Sequence, residues 1–239
     1  MIVGAGCGGD DEQDIPDNQQ PIPTADAVIT QPPPPATEIT ETETIGTDAA
    51  SIDAASGCPP ADAPAPRDDG GETAPTETLD PALTWTLTFD TTCGSFVVTL
   101  DPATAPETTA SLVALSDAGF FDGVAFHRIV PGFVVQGGDQ TGTGSGGPGY
   151  QTVDDPPADT TYTRGVVAMA KAPAEAPGTA GSQFFIVTGA DAGLPPEYAV
   201  VGEVTEGMDV VDVIGALGDA EEKPTQVIVI NSVTAASTG

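Results

Sequence analysis

The sequence predicts a mainly β domain of antiparallel strands with two inserted helices, carried on a long acidic tether. Three observations predict it: a change of texture near residue 80, an alternating run from Leu83 that turns back on itself, and a series of short apolar runs punctuated by glycine and proline. Residues 8–80 are dominated by Pro, Thr, Asp, Glu and Ala. Pro32 to Pro35 form a polyproline step, and Ile22, Ile39 and Ile45 stand alone. Such a segment buries too little apolar surface to offset its ordering entropy, so it is expected to stay disordered or extended.

From Leu83 the signals become those of strands. Leu83, Trp85, Leu87 and Phe89 alternate with Thr84, Thr86 and Thr88, a period of two built from β-formers. Thr92 to Gly94 reads as a turn and Phe96 to Leu100 as the returning strand. Thr104 and Glu107 then form a T-x-x-E capping box around Pro106. Leu112 and Leu115 share a helical face, and Gly119 can end that helix in the left-handed conformation. Further strands are expected at Ala125–Ile129, Val134–Gln136, Val166–Ala170, Phe184–Val187, Ala199–Glu203 and Val227–Val233. A short helix, Met208 to Ile214, closed by Gly215, precedes the last. Eight antiparallel strands with two helices suit a barrel or a sandwich, and strand order alone leaves both open.

Charge excludes some functions. The chain of 239 residues carries 36 acidic and 5 basic residues, a formal net charge of −31. The acidic residues are spread over tether and domain alike, so both repel polyanions; nucleic acid and anionic lipid are not expected partners. No apolar stretch approaches the roughly 18 residues of a membrane span. The pattern Gly4, Gly6, Gly9 has the spacing of a dinucleotide-binding turn, but DDEQDIPDNQQPIP follows it. Negative charge and proline stand where a phosphate-binding helix would start. Gly142, Gly144 and Gly147 repeat the spacing within TGTGSGGPGY, which reads as a surface loop.

The first residues, MIVGAGCGGD, resemble the end of a bacterial lipoprotein signal. In this reading residues 1–7 are its remnant and Cys7 the lipidated residue. A full signal has a charged start and an apolar region of about 7–15 residues. Neither precedes Cys7 here, so either the start lies upstream of Met1 or the match is accidental. The expectation is an extracytoplasmic protein, lipid-anchored to the bacterial cell membrane or otherwise secreted, touching membrane only through Cys7. Exported proteins live where disulfides persist, so Cys58 and Cys93, the remaining pair, can bridge; free thiols are the alternative.

The chemistry is concentrated in two runs. FFDGVAFHRIVPGFVVQGGD, ending at Asp139, holds His127, Arg128, Phe133, Val134 and Gln136; AGSQFFIV, from Ala180 to Val187, adds Gln183 and Phe185. Together they resemble the paired signatures of the cyclophilins, a family of peptidyl-prolyl cis–trans isomerases. The resemblance covers approximately Leu83 to Val233 and so the whole predicted folded part, 81–239. It implies a closed eight-stranded antiparallel barrel capped by two helices. It further implies Arg128, Phe133 and Gln136 as catalytic residues, and Val134, Ala170, Lys171, Gln183, Phe185, Leu194 and Tyr198 as contacts for substrate. Phe133, Val134, Phe185 and Leu194 would line an apolar seat for the proline ring, and the backbone at Ala170 and Lys171 would pair with extended substrate.

Arg128, a permanent cation with several donors, would hydrogen-bond the prolyl nitrogen. Gln136 would orient it. No cofactor and no metal are expected, because His127 is the sole histidine and has no partner at ligand spacing; its expected role is packing between strands. The implied partners are proline-containing unfolded or partly folded polypeptides, met by a monomer, in the folding of exported proteins. The alternative is a catalytically weak proline-peptide-binding module on the same scaffold.

Two departures stand out. Gly193 lies where many members carry a tryptophan, which implies weak cyclosporin binding. Tyr198 lies where many carry a histidine, which keeps an aromatic wall and a polar tip. The loop Ala172 to Ala180 is longer than in compact members and borders the groove, which bears on substrate preference.

Overall fold

The computed structural model describes Cys58, Pro59 and residues 61–239. The proposed lipidation site Cys7 and most of the expected tether lie outside the described residues. In chain order the elements are β1 (Thr84–Thr91), β2 (Gly94–Leu100), α1 (Pro106–Asp117), β3 (Val124–Ala125), β4 (Arg128–Val130), β5 (Val134–Gly137), β6 (Thr152–Val153), β7 (Val166–Met169), β8 (Thr179–Ala180), β9 (Phe184–Val187), β10 (Val200–Glu206), α2 (Met208–Gly215) and β11 (Val229–Thr238). Nine strands form one curled sheet in the order β3-β11-β1-β2-β10-β7-β9-β5-β4, every pair antiparallel, and β6 pairs with β8 apart from it.

The mainly β class with two helices is therefore present, with a correction to the strand count and closure. The expected strand Ala125–Ile129 is two strands, β3 and β4, which form the opposite ends of the curled sheet. Between them Phe126 N–H donates to Ile228 C=O (3.0 Å) and His127 N–H to Gln136 C=O (3.1 Å). The chain thus passes from the neighbour of β11 to the neighbour of β5. The seam is bridged by two residues instead of a continuous ladder, and the sheet is a half-barrel.

Side-chain alternation sorts the sheet into two apolar layers. Ile129, Val135, Ile186, Val167, Met169 and Phe184 point into the large core with Leu87, Phe89, Phe96 and Phe121. Their neighbours in sequence, Val130, Val134, Phe185, Val187, Ala168 and Ala170, form a second cluster on the outer face. Strands β5 and β9 are buried along their whole length because both faces are covered. Phe89 stacks on Phe96 at 4.8 Å, and Phe184 meets Phe121 and Phe126 edge-on. Each such fully buried ring contributes roughly 1.5–3 kcal/mol over its exposed state.

One terminus of each helix differs in detail from the sequence expectation. Helix α1 starts at Ala105 without a side-chain cap of its own, so the Thr104–Glu107 box is not formed. Instead Asp154, over forty residues away, accepts from Thr108 N–H (2.7 Å) and Glu107 N–H (3.4 Å). The negative carboxylate also suits the positive end of the helix dipole. The other end follows the expectation: Gly119 has φ +69°. Phe120 N–H reaches Leu115 C=O and Gly119 N–H reaches Ser116 C=O, the paired bonds of a Schellman turn. Gly215 does not close α2 but lies inside it, where a Cβ would stand 3.0 Å from the Thr188 methyl.

Part of the expected tether is built into the domain. Cys58 and Cys93 form a disulfide. Arg67 N–H donates to Gln140 C=O (3.0 Å), Gly70 N–H to Gly147 C=O (2.9 Å) and Glu72 N–H to Pro148 C=O (3.0 Å). Arg67 also donates to Phe120 C=O, with its guanidinium 5.8 Å from the Phe120 ring centre. The folded unit therefore begins well before residue 81, with residues 61–80 lying along it as a strap.

Candidate active site

The site is set by register. Arg128 on β4 pairs with Gln136 on β5, Gln136 with Phe185 on β9, and Phe185 with Ala168 on β7. Directly paired residues project to the same face, so a guanidinium, an amide and an aromatic ring stand in one row across four strands. Val134, two residues from Gln136, and Ala170, two from Ala168, extend that face. Phe133, Val134, Ala170, Phe185, Leu194 and Tyr198 all belong to the outer apolar cluster. The residues singled out in the sequence thus converge, although they span seventy positions.

Polar bonds fix the row. Arg128 Nε donates to Glu222 Oε2 at 2.7 Å and its Nη1 lies 3.4 Å from Gln136 Oε1. Gln136 Nε2 donates to Gln183 Oε1 (3.1 Å), and Gln183 Nε2 donates to the carbonyls of Gly144 (2.9 Å) and Gly146 (3.0 Å). The chain ends in a loop organised by Asp139, whose carboxylate accepts from Thr141 N–H, the Thr141 hydroxyl and Gly144 N–H. Burial pushes the Asp139 carboxyl up, but hydrogen bonds from Thr141, Gly144 and Gly146 outweigh it and hold it below 3.8.

His127 packs between strands with neither ring nitrogen in a hydrogen bond; the Gln183 amide lies close without that geometry. Burial lowers its pKa from 6.5, Asp139 raises it and Arg128 lowers it again. The ring is therefore neutral near pH 7. Among the described residues no group of His, Cys, Asp or Glu is placed to hold a metal ion.

The apolar part is an aromatic nest. Tyr198 stands edge-on to Phe185 at 5.6 Å and to Tyr162 at 5.9 Å. Lys171 Nζ lies 5.5 Å from the centre of the Tyr198 ring and 3.1 Å from Glu197. Phe133 and Phe185 are almost wholly covered (1 % and 0 % exposed), so the accessible rim is made by Leu194 and Tyr198, at 8 % and 7 %. Burial and the Glu197 charge raise the Tyr198 hydroxyl, while the Arg128 charge lowers it. Gly193 has φ +61°, its N–H bonded to Asp191 Oδ1 (2.8 Å).

Two expected roles shift in detail. Ala170 N–H is already bonded to Gln183 C=O (2.9 Å) and Ala172 N–H to Glu175 Oε2 (2.6 Å). Of the two residues expected to pair with extended substrate, the Ala170 N–H is therefore the group already engaged. Gln183 braces the site as well as bordering a groove.

Sequence reasoning missed three contributors. Tyr162, fully buried, donates its hydroxyl to Tyr198 C=O (2.8 Å) and accepts from Tyr198 N–H (2.9 Å); burial lifts its pKa to about 12. Glu222, the one described non-glycine residue with positive φ (+64°), holds Arg128. Asp139 ended the signature run but was given no role. A lone tyrosine in TTYTR and an acidic turn 94 residues from Arg128 carry no local signal of these partners.

An outer face of a curled antiparallel sheet that joins an apolar nest to a braced guanidinium defines a class of site: an apolar seat beside a fixed cationic donor. Comparison with known proteins narrows that class. Residues 86–235 match the family described as cyclophilin type peptidyl-prolyl cis-trans isomerase/CLD. Peptidyl-prolyl cis-trans isomerase A of Mycobacterium tuberculosis is 37% identical over 176 residues, 66% of this chain and 95% of its own length. Peptidyl-prolyl cis-trans isomerase-like 1 of Aspergillus oryzae is 37% identical over 149 residues, 60% and 91% of the two chains. A crystal structure of a cyclophilin type peptidyl-prolyl cis-trans isomerase from Cryptosporidium parvum superposes with TM-score 0.59 at 30% identity, covering 65% of this chain and 99% of that one. The same protein solved in the presence of the dipeptide Ala-Pro matches at TM-score 0.59 and 31% identity, over 64% and 99% of the chains. The chain belongs to the cyclophilin family of peptidyl-prolyl cis–trans isomerases.

Proposed function

We propose that this isomerase accelerates rotation about X–Pro bonds in exported polypeptides, with Arg128 donating to the prolyl nitrogen. The barrier to peptide rotation is about 18–20 kcal/mol because the nitrogen lone pair is delocalised into the carbonyl. At X–Pro both isomers are populated yet exchange over tens to hundreds of seconds. No covalent intermediate is needed. A site that binds the twisted amide better than either planar form lowers the barrier.

The observation that carries this reading is the row Arg128–Gln136–Phe185, which sets a charged donor beside an apolar nest on one face. In the twisted state the nitrogen becomes pyramidal and basic, and a guanidinium aimed at it gains most there. Phe133, Val134, Phe185 and Leu194 would hold the ring, Tyr198 would wall it, and Gln136 would keep Arg128 aimed. The Cryptosporidium relative solved with Ala-Pro supports a proline-containing ligand.

The setting is a proposal too: export with lipidation at Cys7, a monomeric folding helper, and weak cyclosporin binding for want of a ring at Gly193. The Cys58–Cys93 bridge supports an oxidising compartment. Mass spectrometry of the native protein, expected to show an acylated Cys7, tests the location. Exchange NMR on an Ala-Pro peptide tests the chemistry. The expected result is accelerated cis–trans exchange, whereas binding without exchange would make the protein a passive proline-peptide module.

A further inference from the structure

We propose that the strap makes the isomerase selective for proline segments carrying a lysine or arginine about two residues from the proline, with Asp69 as the selecting residue; this rests on the isomerase reading above. The strap lies outside the family match, which begins at residue 86. It is fixed as a rail on the loop before β6. Besides its backbone bonds, Gly147 N–H donates to Asp69 Oδ1 (2.8 Å), and a Cβ on Gly149 would stand 3.0 Å from Gly70 Cα. Glycines are thus what let the two backbones lie so close.

The rail sets Asp69 on the rim of a cavity of about 450 Å³ whose walls include Gly146, Lys171, Glu175 and Gln183. That cavity adjoins the proline site. Gln183 immediately precedes β9 and lies two residues, about 6.6 Å of extended chain, before Phe185; its bond to Gln136, the residue paired with Phe185, puts it on the same face. An extended peptide with its proline against Phe185 therefore lays a side chain two residues away over the cavity.

The charge of the cavity is negative. The Glu175 carboxylate accepts from the Gln151 amide and Ala172 N–H, both neutral. The Lys171 ammonium is committed to Glu197 (3.1 Å) and Glu175 C=O (3.2 Å). Asp69 Oδ2 has no hydrogen bond among the described residues. Asp69 and Glu175 together thus favour an incoming cation and repel an anion, and the net charge of −31 steers in the same sense.

The test uses the full chain and Ala-Ala-Pro-Ala-Ala peptides with Lys, Ala or Glu placed two residues before or two after the proline, with exchange rates read by NMR. At low ionic strength the Lys peptide at one of the two positions is expected to exceed the Ala peptide in kcat/KM by about three-fold, with the Glu peptide slower than Ala, as an exposed charge pair allows. The preference should shrink in 0.5 M salt. In Asp69→Asn, which keeps an oxygen for Gly147 N–H, the Lys/Ala ratio should fall toward one, and Glu175→Gln should lower it independently. Equal rates for all peptides, or a Lys/Ala ratio unmoved in Asp69→Asn whatever Glu175→Gln does, would overturn selection by the strap and leave the isomerase standing. No acceleration of any peptide would overturn both.

Discussion

Arg128 is held from two sides before any substrate arrives: Glu222 at Nε and Gln136 near Nη1. In the proposed mechanism, ordering this head in advance would let its contact with the twisted amide act without reorganisation. Arg128→Ala should lower kcat/KM by roughly 100-fold, the scale of losing one pre-aimed donor, while thermal melting shows the fold intact. Glu222→Gln keeps an acceptor for Nε and removes only the charge of a half-exposed partner, so about a three-fold loss is expected. A loss as large as that of Arg128→Ala would give Glu222 a direct part in the reaction.

His127, the residue before Arg128, supplies a pH signature. Its folded pKa lies below 6.5, so just under pH 6.5 the unfolded chain binds more protons than the folded one. Stability must therefore fall as pH drops through that window. Asp139 acts in a separate window: its depressed carboxyl contributes above 3.8 and loses that contribution only as pH falls further. Denaturant melts from pH 7 to 5 should show a slope that flattens in His127→Gln; an unchanged slope would mean other groups produce it.

At the scale of elements, what was legible followed from period. The run Leu83 to Phe89 alternates cleanly and becomes β1. The Val134 and Phe184 runs were equally plain, yet alternation could not say that both their faces would be covered. Where one expected strand became β3 and β4, the sequence did hold a trace: Phe126 and Ile129 both enter the core, and a spacing of three breaks the period of two. The α1 cap was illegible because its acceptor, Asp154, comes from a loop far along the chain. Asp154→Ala should cost about 1–2 kcal/mol in chemical denaturation, the upper range for a lost N-cap; a cost near zero would mean water serves Thr108 N–H as well.

Of the strap, the sequence showed only the Cys58–Cys93 bridge, for a related reason. Its order comes from backbone bonds and a disulfide, which leave no apolar pattern. Cys58–Cys93 closes a loop across 35 positions, so removing it should cost roughly 3–4 kcal/mol through the unfolded state. Paired Cys→Ser substitution followed by thermal unfolding checks this. A strap that detached while the barrel kept its stability would place the two in separate cooperative units.

The whole molecule is dominated by uncompensated charge. With 36 carboxylates and 5 cations, local pairing cannot balance the field. Arg128, Arg164 and Lys171 are each already paired, with Glu222, Asp212 and Glu197. The remaining carboxylates repel one another over distances that water alone screens poorly, and folding concentrates them. Added salt shortens that reach from about 30 Å at 0.01 M to about 10 Å at 0.1 M. It weakens the three ion pairs less than it relieves repulsion, because the pairs are few and short. Thermal stability should therefore rise with sodium chloride between 0.01 and 0.5 M. A gain of about 1 kcal/mol would raise Tm by roughly 2–4 °C for a domain of this size. A Tm that fell with salt would mean the paired cations outweigh the surplus of carboxylates. The substrate preference proposed for the strap should weaken over the same range, so one salt titration moves stability and selectivity in opposite directions. If both moved together, a common cause other than screening would have to be sought.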